Sequence, residues 1–225
     1  MKKSIFILNI ILAIGVIISD IFYILQGGLW LKSITSAGFV LIGLANLIYA
    51  ICTKSQNLKF SLTMFIGLVF AMAGDIVLNV HFIGGAVLFA IGHIIFFLAY
   101  SFISKFTWID IIMGICLFIP SLIVLVAIPI FDFGGALMQI VCIIYALIIC
   151  LMVGKALSNV IKNKNTTNFI ILIGSILFFF SDLMLVLNMF STVGSIAGIL
   201  CLATYYPAEI LLAYSIFQAN NQKEK

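Results

Sequence analysis

Residues 73–100 read AGDIVLNVHFIGGAVLFAIGHIIFFLAY. One acid, Asp75, and two histidines, His81 and His93, interrupt a run dominated by Gly, Ala, Ile, Leu, Val and Phe. The apolar character reaches back to residue 60 and forward to 103, broken only around His81-Phe82-Ile83. About 20 apolar residues, rising 1.5 Å each as a helix, cross a hydrocarbon core of about 30 Å. The stretch is therefore read as the end of one membrane span, 60–80, a tight turn, and the next span, 83–103.

The same reading covers the whole chain of 225 residues. Further apolar runs lie at 5–25, 34–52, 108–130, 134–154, 168–188 and 195–217, and the breaks between them are short. With 65% of residues hydrophobic, only 8% charged and a mean hydropathy of +1.36, too little polar surface exists to face water. Soluble domains carry about 25% charged residues. The expectation is all-α: a polytopic membrane bundle of eight transmembrane helices forming one transmembrane domain over 1–225. The start, MKKSIFILNIILAIGVIISD, has the basic and apolar regions of a signal peptide but no small-x-small cleavage site. It is read as an uncleaved first span.

Lysine placement orients the bundle. Lys2, Lys3, Lys54, Lys59, Lys105, Lys155, Lys162, Lys164, Lys223 and Lys225 fall on one side of the eight-span scheme, and Lys32 alone on the other. The positive-inside rule then puts both termini in the cytoplasm. Lysines scattered this way mark membrane flanks, and no nucleic-acid partner is expected. Cys52, Cys116, Cys142, Cys150 and Cys201 form no C-x-x-C pair and are expected to be buried as small hydrophobes. Abundant Ile, Lys and Asn with no Arg suggest an AT-rich genome, hence a bacterial plasma membrane.

An ionisable group inside a span is costly unless paired or hydrated, so it reads first as functional. Asp20, Asp75, Asp182 and Glu209 meet that description, whereas Asp110 and Asp132 fall at span ends and are expected to be solvated. Counted along their helices, Asp75 and Asp182 lie about 21–22 Å from the cytoplasmic face, with Asp20 at a similar level. Three carboxylates at one depth can meet in one cavity. Gly67, Ala71 and Gly74 form a small-residue stripe beside Asp75, with Asn79 a turn beyond it. Ser175 and Asp182 share a face in span seven. Phe89, His93 and Tyr100 make another in span four, and Gly198, Leu202, Tyr205, Glu209 and Leu212 one in span eight, with Tyr206 alongside. Each also has a plainer reading: acids as hydrogen-bonding glue between helices, His93 and the tyrosines as packing. Pro207 beside Glu209 frees a backbone carbonyl and is expected to bend the last helix. S-D-I at 19–21, G-D-I at 74–76 and S-D-L at 181–183 hint at a repeat, but any chain of helical hairpins has a period near that length. With no H-E-x-x-H, no paired Cys, no P-loop and no nucleophile elbow, no metal or cofactor is expected, and catalysis would rest on carboxylic acids.

The segments AGDIVLNVHFIGGAVLFAIGHIIFFLAY, FFFSDLMLVLNMF and TYYPAEILLAYS together resemble the YhhN-like lysoplasmalogenase family of eight-span membrane proteins. Gly74–Asp75, Phe89 through His93, Ser181–Asp182 and Tyr205–Tyr206 match its recurrent features. One departure stands out: the last span of that family often reads Tyr-x-x-Ala-Gln, and here it is Tyr205-Tyr206-Pro207-Ala208-Glu209.

The resemblance implies hydrolysis of the vinyl-ether bond of a lysoplasmalogen, a lysophospholipid, to a fatty aldehyde and a glycerophospho-head group. Such a bond breaks when its β-carbon is protonated and water adds to the oxocarbenium ion. One proton donor and one carboxylate suffice, a division of labour that glycosidases also use. Asp75 and Asp182 are the expected catalytic pair, in either order. Asn79, His93, Tyr205, Tyr206, Glu209 and Asp20 are the expected substrate-binding residues, and membrane lipid the surroundings. Two other classes also keep acids in the membrane: proton- or cation-coupled transporters, distinguished by flux, and lysolipid-binding proteins, which leave the lipid intact.

Overall fold

The computed structural model describes residues 1–222; Lys223 and Lys225, counted above with the cytoplasmic lysines, lie outside the described residues. The described chain is all helix and connecting turn. Its elements are α1 (Lys2–Gln26), α2 (Leu29–Cys52), α3 (Leu58–Leu78), α4 (Phe82–Ile103), α5 (Trp108–Ala127), α6 (Ala136–Lys162), α7 (Thr166–Phe190) and α8 (Gly194–Asn221). All eight are long and apolar enough to cross a membrane.

Two boundaries move in ways that matter. Only Gly27 and Gly28 separate α1 from α2, with φ of 68° and 100°, which residues bearing a Cβ rarely adopt. The turn is tighter than the eight-residue break in the sequence suggests, so Lys32 lies inside the first turn of α2 and is buried. It is not a flanking lysine of the opposite loop. At the other end, α6 continues eight residues past the expected 154, because Lys155 and Asn159 find partners there instead of water. Lys155 Nζ donates to Asp110 Oδ2 at 2.9 Å and to the Ser104 carbonyl at 2.7 Å, and Lys162 reaches Asp110 Oδ1 at 2.7 Å. The expectation that Asp110 is solvated therefore fails: it is fully buried between two lysines and caps α5 through Thr107. Asp132 is exposed, as expected.

In lipid, apolar side chains gain nothing by turning inward, so packing and polar contacts hold the bundle together. Ile, Leu, Val and Phe accordingly cover its outside, while Asn9, Lys32, Asn46, Asp75, His93, Tyr100 and Glu209 are among the buried residues. Helix α8 is the hub, packing on α1, α2, α3 and α7; α3 packs on α4, α4 on α6, α6 on α7, and α5 on α6. It runs unbroken through Pro207. Close approach depends on glycine. Gly67 and Gly74 of the expected stripe receive the rings of Phe96 and Phe89, and Gly154 meets the Gly114 backbone where α5 crosses α6. The cysteines are all free thiols; Cys142 and Cys150 are buried, but Cys52 and Cys116 lie on the outer surface, against expectation, where lipid solvates a thiol as well as the core does.

A Cβ on Gly154 falls 2.5 Å from the Gly114 Cα, whereas one on Gly15 meets nothing within 4 Å. Gly154→Ala should lower stability in detergent by about 1–3 kcal/mol through overpacking. Gly15→Ala should leave it unchanged or slightly raised, as read from paired thermal melts.

Candidate active site

At the end of the bundle where α1, α3 and α7 finish lies a cavity of about 490 Å³. Asp75 and Asp182 both line it, together with Lys32, Asn79, Phe89, Asn188, Ser195 and Tyr205. With the observed helix starts, Asp75, Asp182 and Asp20 lie about 24–27 Å along their helices, so the common depth holds. Yet α3 and α7 make no close backbone approach among the described residues. The two acids line one space whose other walls come from α1, α2, α4 and α8.

Each carboxylate is held differently. Asp75, near the C-terminal end of α3, forms an ion pair with Lys32, Nζ to Oδ1 at 2.9 Å. Its Oδ2 accepts from Ser36 at 2.5 Å and from Tyr206 at 3.1 Å. Lys32 also lies 3.5 Å from Asn79 Oδ1, and Asn79 in turn donates to the Asp75 carbonyl at 2.8 Å. Asp75 is thus surrounded by donors, one of them a full cation.

Among the described residues, no lysine pairs with Asp182. Its Oδ2 accepts from the Tyr145 hydroxyl at 2.7 Å and stands 3.3 Å from His93 Nε2, which is itself 2.8 Å from the same hydroxyl. The three groups form a closed triangle. His93 is wedged edge-to-face against Phe178 at 4.7 Å and Tyr145 at 5.4 Å, and its Nδ1 has no partner among the described residues. Next to Asp182, Ser181 donates to the Cys201 carbonyl at 3.0 Å and ties α7 to α8. Among the described residues, Asp182 Oδ1 makes no hydrogen bond to protein; this is the oxygen left for the cavity.

Of the residues singled out in the sequence, Asp75, Asp182, Asn79 and Tyr205 line the cavity. Tyr206 and His93 stand behind the wall and touch its acids. Tyr205 packs edge-to-face on Phe89 and Phe178 and donates to the Ala71 carbonyl at 3.3 Å. Asp20 and Glu209 are not among the lining residues. Both are buried; Asp20 Oδ1 and both Glu209 carboxyl oxygens lack a hydrogen-bond partner among the described residues. Lys32, Ser36 and Tyr145 were missed. Lys32 and Ser36, four apart, share a helix face, and Lys32 was the one lysine out of step with the rest. Nothing in CIIYALIIC (142–150) marks Tyr145.

The profile of the YhhN family matches residues 30–216. The chain belongs to the YhhN family. This is the lysoplasmalogenase family, and the matched segment of this YhhN-family protein carries Lys32, Ser36, Tyr206, Tyr145 and His93, the side chains bonded to the Asp75 and Asp182 carboxyls among the described residues. Asp20, on α1, lies outside the match. No curated protein and no solved structure matches the chain.

Truncating one member of a buried ion pair leaves the other uncompensated and typically costs about 3–5 kcal/mol. Lys32→Met and Asp75→Asn should each destabilise the protein on that scale. The double variant should lose clearly less than the sum, as measured by a double-mutant cycle of thermal stability.

Proposed function

We propose that this protein hydrolyses the vinyl-ether bond of a lysoplasmalogen within the membrane, with Asp182 as proton donor and Asp75 as the ionised partner. The observation that carries this reading is the unequal support of two carboxyls on one cavity. Membership of the lysoplasmalogenase family supports the reaction class. The reading takes both termini as cytoplasmic, which the lysine distribution supports, and so sets the cavity mouth on the extracytoplasmic side of a bacterial plasma membrane.

The reaction follows from the placement. Asp182 carries its proton on Oδ1, the oxygen that no protein group engages. It delivers the proton to the β-carbon of the vinyl ether; the C=C π pair forms the new C–H bond and an oxocarbenium ion results. The carboxylate left on Asp182 is stabilised by Tyr145 and His93, which already point at Oδ2. Lys32 lies between Asp75 and Asn79 at the mouth. The phosphate of the arriving head group draws that ammonium outward. Asp75, still held by Ser36 and Tyr206, then turns its charge toward the oxocarbenium carbon and steers water onto it. The water gives its proton back to Asp182. The resulting hemiacetal breaks its bond to the glycerol oxygen, which takes up the hydroxyl proton, and releases aldehyde and the glycerophospho-head group. Tyr205 and Phe89 form the wall; Asp20 and Glu209 take no direct part.

Purified protein should release fatty aldehyde from lysoplasmalogen. Asp75→Asn and Asp182→Asn should each cut release at least a thousandfold while remaining folded. Tyr145→Phe, losing one donor to the developing carboxylate, should lower kcat about 100–1,000-fold. Lys32→Met should act mainly on KM, raising it about tenfold. Full activity in both Asp variants would overturn the assignment, and a lysolipid bound but unchanged by the wild type would make the protein a binder.

A further inference from the structure

Most polar side chains on the cavity wall are already committed within the protein. Lys32 pairs with Asp75 and lies 3.5 Å from Asn79 Oδ1, and Asn79 donates to the Asp75 carbonyl. Ser181 donates to the Cys201 carbonyl and Tyr205 to the Ala71 carbonyl. Tyr23, Asn188 and Ser195 also line the cavity, and among the described residues their side chains hydrogen-bond to no protein group. Ser195 is exposed, and the centroid of the Tyr23 ring lies 5.8 Å from Lys32 Nζ. Asn188 differs from both, because packing holds its side chain in place. It is half-buried near the end of α7 and rests on Gly198 of α8. A Cβ on Gly198 would fall 3.0 Å from Asn188 Oδ1, 3.3 Å from Cγ and 3.4 Å from Nδ2. Distances this nearly equal mean that the amide lies flat on the bare glycine. Its hydrogen-bonding edge stays open to the cavity that both residues line.

We infer that Asn188 reads the free glycerol hydroxyl of the lysophospholipid and so sets the preference for one-chain over two-chain lipids. The inference rests on the hydrolase reading for the position of the bond. A primary amide offers a donor and an acceptor side by side, and a hydroxyl answers both. A phosphate offers acceptors alone, and Lys32 is the cation on the same wall that meets its charge. The spacing agrees. Asn188 stands six residues beyond Asp182, about 9 Å along α7 towards the mouth. In the substrate, five bonds separate the hydroxyl oxygen from the β-carbon, about 6 Å when extended. A hydrogen bond to the amide adds about 3 Å. A substrate lying along α7 thus brings its vinyl ether to Asp182 and its hydroxyl to Asn188, and the phosphate on the next glycerol carbon is left to Lys32. Esterifying that hydroxyl removes its donor and puts an acyl chain where the amide stands. Because Gly198 holds the amide beforehand, little rotamer freedom is lost on binding.

The test compares two saturated ether lysophospholipids, which have no double bond to protonate: one with the glycerol 2-hydroxyl, the other with hydrogen in its place. In calorimetric titrations of the full-length protein in detergent, the wild type should bind the hydroxyl form about tenfold more tightly, the yield of one neutral hydrogen bond. Asn188→Ala should bind the two forms equally. Gly198→Ala, which displaces the amide without removing it, should also shrink the ratio. The corresponding pair of lysoplasmalogens should show the same ratio in kcat/KM. A wild-type ratio near one would overturn the inference, as would a ratio that Asn188→Ala leaves intact. Equal weakening of both forms in Asn188→Ala would overturn it too, by giving the amide to the phosphate. The wild-type comparison depends on no variant folding. Aldehyde release with equal use of both forms would sink the role of Asn188 alone. Hydroxyl discrimination abolished by Asn188→Ala, without aldehyde release, would support that role and sink the hydrolase reading alone.

Discussion

A carboxylate in hydrocarbon is costly unless paired or hydrated, and the Lys32–Asp75 pair at 2.9 Å is where the site offsets that cost most directly. Much of the surrounding fold can be read from it. The two-glycine turn between α1 and α2 is what brings Lys32 inside the bundle rather than leaving it in a loop. Ser36, one turn later on the same face, and Tyr206 of the hub helix complete the set of donors. Helices α2, α3 and α8 are thereby joined at one carboxyl group, and the cavity opens beside that junction.

The two acids are alike in sequence setting, each preceded by a small residue and followed by aliphatic ones, and unlike in three dimensions. One faces a cation and two hydroxyls; the other faces one hydroxyl and an imidazole. Two-carboxylate hydrolysis requires such inequality, because one group must give a proton while the other stays charged. Here it arises from residues on other helices and not from the residues flanking the acids.

That difference explains what the sequence disclosed. Span count, the choice of Asp75 and Asp182, and their common depth depend on hydropathy and helical rise, which are local properties. The stripe of Gly67, Ala71 and Gly74 was legible for the same reason. Lys32 and Lys155 were misread as flanking lysines because a charge at a span end looks the same whether it meets water or a buried acid. Asp110 went the same way. Tyr145 gave no sign, since one tyrosine in an apolar run takes its meaning only from the Asp182 that a neighbouring helix brings to it. Glu209, prominent in sequence as a charged residue beside Pro207, proves to be sealed in the core away from the cavity wall.

The central claim is that the protein protonates a carbon of its substrate from a buried carboxylic acid, and the product records this directly. Hydrolysis in D₂O, with the aldehyde trapped at once by reduction, should place a single deuterium on the carbon next to the former carbonyl, as mass spectrometry would show. An aldehyde formed without deuterium at that carbon would contradict the account.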